Sequence, residues 1–149
     1  MSQQLERRMT VDYVKLKFPG KPVIFNARLG PLPEEVARIN GQALNPRMFS
    51  VLNRYADALV NLGDSLVLIE CKIEDEAGAI GQLMLYESLV STTPELGQFR
   101  GLPVKKLLVT ARPSMSLKKF ALTQGVDVDF YSPMYLSETL IGRDRRRRN

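Results

Sequence analysis

The chain has 149 residues, 44% apolar and 25% charged, with a single cysteine and no histidine. That length supports one hydrophobic core. The missing imidazole excludes Ser-His-Asp and Cys-His hydrolysis, histidine-metal nucleases and paired-histidine ribonuclease chemistry, while the lone Cys71 rules out an internal disulfide and argues against structural zinc.

Catalysis in such a chain has to rest on carboxylates, lysine, hydroxyls and a hard cation such as magnesium or manganese, which prefers oxygen ligands. Formal charge is 21 − 16 = +5, and residues 143–149, with five arginines and one aspartate, supply +4 of it. The body is near neutral, and the tail is expected to be solvated, either neutralising phosphates or acting as a solubilising end. The opening MSQQLERRMT has no apolar signal stretch, and no run approaches the roughly 18 apolar residues of a membrane span. A cytoplasmic protein with no membrane partner is expected, from a bacterial, archaeal or phage-infected cell.

In chain order, VDYVKLK from Val11 to Lys17 alternates, FPGKP supplies a turn, and VIFNARL is a second extended run, which predicts an N-terminal hairpin. Leu32 to Ile39, with prolines near its start and two glutamates in its first turn, suits a short helix ended by Asn40-Gly41. Asn45-Pro46 caps a second one running to about Arg54. Tyr55 to Leu62 and Ser65 to Glu74 read as strands joined by a tight turn at Gly63-Asp64. Ala79 to Ser91 has helical apolar spacing, Val104 to Ala111 is an apolar strand, Ser114 to Gln124 a basic amphipathic helix stopped by Gly125, and Val126 to Tyr131 a final strand. This order implies an α/β mixed sheet flanked by helices, in which the strands before and after the Ala79 helix run parallel through a right-handed crossover. One domain over residues 1–142 is expected, with a core at 55–131 and a basic tail at 143–149.

The stretch SLVLIECKIE, residues 65–74, begins as an apolar strand and ends in charge. Alternation puts Glu70, Lys72 and Glu74 on one face and Ile69, Cys71 and Ile73 on the other, so the Cys71 side chain is expected in the core. A hairpin centred on Gly63-Asp64 places Asp57 opposite a residue close to Glu70. Two adjacent carboxylates repel unless a cation lies between them, which suggests a metal. Lys72, further along the same face, can hold a water and add positive charge near a phosphate. Gln82 and Tyr86, four apart, share one face of the following helix; the amide can orient water or phosphate and the ring can contact a nucleic-acid backbone or stack on a base.

Asp57, Glu70-Cys71-Lys72 and Gln82-Leu-Met-Leu-Tyr86 together resemble the D…ExK plus QxxxY signature of the PD-(D/E)XK nuclease superfamily, in its RecB-type branch. The resemblance spans Tyr55 to about Ala111 and implies a restriction-endonuclease-like fold and a magnesium- or manganese-dependent deoxyribonuclease, leaving 5′-phosphate ends. It implies Asp57, Glu70 and the Cys71 carbonyl as metal ligands, Lys72 assisting the attacking water, and Gln82 and Tyr86 supporting substrate. Alanine stands before Asp57 where the superfamily often has proline, and Glu34 or Glu35 would have to supply the first-helix glutamate that many members add. Arg54 and the tail arginines Arg145 and Arg146 are candidate DNA contacts, and Lys105, Lys106, Arg112, Lys118 and Lys119 could line a phosphate groove. So short a chain suggests a homodimer or a recruiting partner protein, in a phage, a mobile element or host repair.

Plainer readings stand beside this one. Asp57, Glu70 and Lys72 would also suit a surface ion pair on a strand edge, although their apolar surroundings speak for interior strands. The chain would also suit a non-catalytic nucleic-acid-binding module on the nuclease fold, or an interaction protein of a virus or mobile element.

Overall fold

Two apolar stripes on opposite faces of one sheet set the architecture. The computed structural model describes residues 2–32, 54–74, 77–112 and 114–137. Five strands lie side by side in sequence order: β1 (Val23–Leu29), β2 (Arg54–Asn61), β3 (Leu66–Lys72), β4 (Val104–Thr110) and β5 (Val126–Phe130). β1, β2 and β3 pair antiparallel, whereas β4 and β5 add in parallel. Among the described residues, the α-helices α1 (Ser2–Lys17), α2 (Gly78–Val90) and α3 (Met115–Thr123) flank the sheet. The layer order is that of an α/β mixed sheet, as the succession of elements predicts.

β3 is the centre of the fold because both of its faces are apolar. Leu66 and Leu68 join Ile80 and Leu83 of α2 and Leu117 and Ala121 of α3. Val67, Ile69, Cys71 and the following Ile73 pack against Met9, Tyr13 and Val14 of α1. Full burial of each of the larger aliphatic side chains contributes about 2 kcal/mol, and that burial holds the charged end of the strand in place. The β2–β3 turn pairs Leu62 N–H with the Ser65 carbonyl at 2.9 Å, with Gly63 at φ +89°, a conformation that glycine adopts without strain.

The N-terminal hairpin is not formed. VIFNARL is indeed a strand, β1, but its partner is β2, and residues 11–17 are the last turns of α1. The alternation of VDYVKLK competes with a longer helical pattern. Leu5, Met9, Thr10, Tyr13 and Val14 recur one and four residues apart and face the sheet, leaving Leu16 exposed. β5 and the segment after it secure this helix: Tyr13 donates to Asp129 Oδ2 in β5 at 2.6 Å, while beyond the strand Tyr135 donates to Asp12 Oδ2 at 2.8 Å and its ring lies 3.9 Å under Arg8.

Ser114 caps α3, its hydroxyl accepting from Leu117 N–H at 3.2 Å. Arg54 opens β2 rather than closing a helix. The two helices expected within residues 32–54, the candidates Glu34 and Glu35, and the arginine tail with Arg145 and Arg146 lie otherwise outside the described residues. Among the described residues no helix is long and apolar enough to cross a membrane.

Candidate active site

The sheet forks at the charged end of β3. β2 and β3 pair from Asn61↔Leu66 to Ala58↔Ile69 and no further, although β2 pairs with β1 back to Arg54 and β3 pairs with β4 on to Lys72. Extending the register by one step sets Asp57 opposite Glu70, within the neighbourhood the hairpin predicts. The fork is closed by a side chain: Asp57 Oδ2 accepts from the Cys71 N–H at 2.8 Å, where a β2 carbonyl would stand in a continued ladder. The Lys72 carbonyl accepts from Ala111 on the β4 side, so by strand alternation the peptide groups of Cys71 face the fork. The Cys71 side chain is buried in the α1-side core, and burial pushes its thiol up to about 12, which makes it an inert packing group.

Glu70 is buried, 5% exposed, in the face that also carries Leu66 and Leu68. Its Oε1 is 3.3 Å from Lys72 Nζ, and its Oε2 is fully buried with no hydrogen-bond partner among the described residues. Burial, followed by the negative charge of Asp57, pushes its carboxyl up to about 7, against the pull of Lys72. Burial also raises Asp57, opposed by the Cys71 N–H and by the positive charges of Lys72 and Arg7. The two acids thus tend to hold a proton in the neutral range unless a cation joins them.

The donor set fits a hard divalent ion: two carboxylates on facing strands, one oxygen orphaned in a buried position, and a main-chain carbonyl oriented to the same fork. Asp57, Glu70 and the Cys71 carbonyl are the groups that would hold it. No group of three or more acidic, cysteine or histidine side chains suited to a metal occurs among the described residues.

The remaining candidates divide. Arg54, Gln82 and Tyr86 line one cavity of about 400 Å³, between the start of β2 and α2. Burial, then Glu70 and Asp57, pushes the Tyr86 hydroxyl up to about 12, so this cavity is in electrostatic reach of the fork. Lys106 is tied to Glu87 of α2 in a close ion pair, and Lys105, Lys118 and Lys119 point to solvent from β4 and α3.

A second cavity, of about 340 Å³, has Asp57 in its wall together with Arg7, Thr10 and Val11 of α1 and Phe25 and Asn26 of β1. None of its α1 or β1 residues stands out when the N-terminus is read as a hairpin. One signal was available: Asn26 interrupts an apolar strand, and it takes the left-handed conformation, φ 49°, between the pairs Phe25↔Ala58 and Ala27↔Ala56 that bracket Asp57.

No family model and no curated protein matches the chain. Solved structures do. A repair endonuclease from Pyrococcus abyssi superposes with a TM-score of 0.52 at 14% identity, over 85% of this chain and 46% of its own. The EndoMS–dsDNA complex superposes with a TM-score of 0.52 at 16% identity, over 86% and 45%. AF1548, a protein of unknown function, gives 0.51 at 14% identity, over 83% and 56%. The chain therefore spans about half the length of the structures it resembles. Its fold is restriction-endonuclease-like, the fold implied by the signature in Asp57, Glu70 and Lys72.

Proposed function

We propose that this chain is a metal-dependent DNA nuclease that hydrolyses phosphodiester bonds at the fork between β2 and β3. The observation that carries the reading is the convergence of Asp57, Glu70 and Lys72 there, with Glu70 Oε2 buried and unpartnered. That a repair endonuclease and a protein complexed with double-stranded DNA share the fold supports DNA as the substrate.

A magnesium or manganese ion held by Asp57, Glu70 and the Cys71 carbonyl would supply Lewis-acid chemistry, lowering the pKa of water and neutralising phosphate charge. The chain's own residues do the rest. Cys71 N–H fixes the Asp57 carboxylate through Oδ2, leaving its other oxygen for a ligand. Lys72 Nζ, 3.3 Å from Glu70 Oε1, brings positive charge to an attacking water or a non-bridging phosphate oxygen. Gln82, exposed on α2, and Arg54 orient the phosphate from the neighbouring cavity, and Tyr86 forms its wall. The buried strand β3 keeps these groups from relaxing apart, so they are placed before substrate arrives.

The test is incubation with single-stranded, duplex, flapped and branched DNA in magnesium or manganese. Cleavage that requires the metal and is lost in Glu70→Ala is expected. Salt-sensitive binding without cleavage, unchanged by Glu70→Ala and weakened by removing residues 143–148, would instead identify a non-catalytic binding module. Size measurement in the same buffer tests the homodimer.

A further inference from the structure

The two cavities at the fork carry matching chemistry on different elements. One offers Arg54, Gln82 and Tyr86; the other offers Arg7, Asn26 and Phe25, with the Thr10 hydroxyl beside them. Each set is one guanidinium, one carboxamide and one aromatic ring, which are the groups that take a phosphate, a base edge and a base face. Asp57 is in the wall of one cavity, and Tyr86 in the wall of the other senses the charges of Glu70 and Asp57.

From this pairing we infer that the cavity between α1 and β1 is a nucleotide subsite, in which one unpaired base stacks on Phe25 next to the phosphate bound at the fork. The inference rests on the proposed nuclease reading and adds to it a preference for a locally single-stranded substrate. Phe25 is suited to the role because 41% of it is exposed although its neighbours Ala27 and Ala58 are buried. A base within a duplex already has both faces stacked and its pairing edge occupied, so it can reach neither the ring nor the Asn26 amide without leaving the helix. Arg7 stands on the solvent side of the same cavity, and it favours the charged form of Asp57 from there. An entering phosphodiester would meet that positive charge before the acidic pair. The cavity, about 340 Å³, is at the small end of ligand sites, which suits one nucleotide rather than a duplex end.

The experiment is fluorescence anisotropy of the full chain with a labelled 12-nucleotide single strand and with its duplex, in calcium so that binding is read without cleavage. The expected result is tighter binding of the single strand, about tenfold weaker binding by Phe25→Ala, and recovery in Phe25→Trp, with duplex affinity unmoved by either. Arg7→Ala should weaken both and lower the salt slope by about one. Circular dichroism confirms folding of each variant, and Asn26→Gly, which retains the positive-φ conformation, supplies a second variant that removes a base contact. Equal single-strand binding by wild type, Phe25→Ala and Asn26→Gly would overturn the subsite, whatever the cleavage panel shows. A cleavage panel without metal-dependent activity, alongside Phe25-dependent single-strand binding, would overturn the nuclease reading and leave the subsite standing.

Discussion

The main-chain N–H of Cys71 donates to Asp57 Oδ2 across 2.8 Å, one step beyond the last β2–β3 pair, Ala58↔Ile69. A side chain thereby replaces a backbone acceptor at the place where the sheet opens. The bond satisfies an N–H that would otherwise be buried without a partner, and it also fixes one carboxylate of the acidic pair. Fold and chemistry meet in this contact, and the two can be separated by mutation.

Asp57→Asn keeps an acceptor for Cys71 and removes the charge that burial penalises. Its stability at pH 8 is expected to equal or exceed wild type by up to about 1 kcal/mol. Asp57→Ala leaves the N–H unsatisfied and should cost about 1–3 kcal/mol. Urea denaturation of both variants checks this, and equal losses in the two would mean that the bond does not close the fork. Neither variant should cleave DNA.

Glu70→Gln gives a pH-dependent gain. In the folded chain burial and Asp57 push this acid up to about 7, above its unfolded value near 4.5, so the native state holds the proton more tightly. A raised acid makes stability fall as pH climbs from about 4.5 to 7 and stay flat above. Replacing it should therefore stabilise the metal-free protein by up to about 3 kcal/mol at pH 8 and by little at pH 4. The loss of the Lys72 partner subtracts from that figure. Denaturation midpoints for wild type and Glu70→Gln across pH 4 to 8 should diverge upward through this window; parallel curves would contradict it.

The central elements were legible because their patterns are local. The Gly63-Asp64 turn fixes the β2–β3 register, the β3 run is apolar on both faces up to Ile69, and the spacing of Ile80, Leu83 and Tyr86 is helical, so the neighbourhood of Asp57 and Glu70 follows from the sequence. The N-terminus was not legible. Within residues 11–17 the polar and apolar side chains fit a strand as readily as a helix, and only the longer spacing from Leu5 to Val14 shows the face that packs on Ile69 and Cys71. The fork was hidden for a different reason: a strand that loses one neighbour while keeping the other has no signature in its own residues. With α1 misplaced, Arg7 and Asn26 had no link to Asp57.

Tyr13→Phe tests how α1 is held. The hydroxyl donates to Asp129 Oδ2 at 2.6 Å across 116 residues, and the ring packs edge-on against Tyr131 at 5.6 Å. The variant keeps the packing and removes one hydrogen bond to a half-exposed carboxylate, which can recover water, so a loss of about 1 kcal/mol is expected in urea. Because α1 supplies Arg7 and Thr10 to the cavity beside Asp57, single-strand binding should weaken more than this stability loss alone would explain if the helix loosens. Unchanged binding would show that Met9 and Val14 alone hold the helix in place.

Manganese binding should release a proton. The acidic pair tends to retain one in the neutral range because Glu70 is buried beside Asp57, and a carboxylate has to be ionised to ligate a cation. Near pH 6, titration calorimetry in buffers of different ionisation enthalpy should give a buffer-dependent heat corresponding to about one proton per ion bound. Above pH 8 that dependence should vanish, and affinity should rise about tenfold per pH unit below 7 before levelling. Lys72→Met provides a control of opposite sign: losing the nearby ammonium raises the Glu70 carboxyl further, since Lys72 now lowers it, so the proton-coupled window moves upward in pH. A manganese affinity independent of pH between 6 and 8 would place the ion away from Glu70, and the orphaned Oε2 would then need another partner.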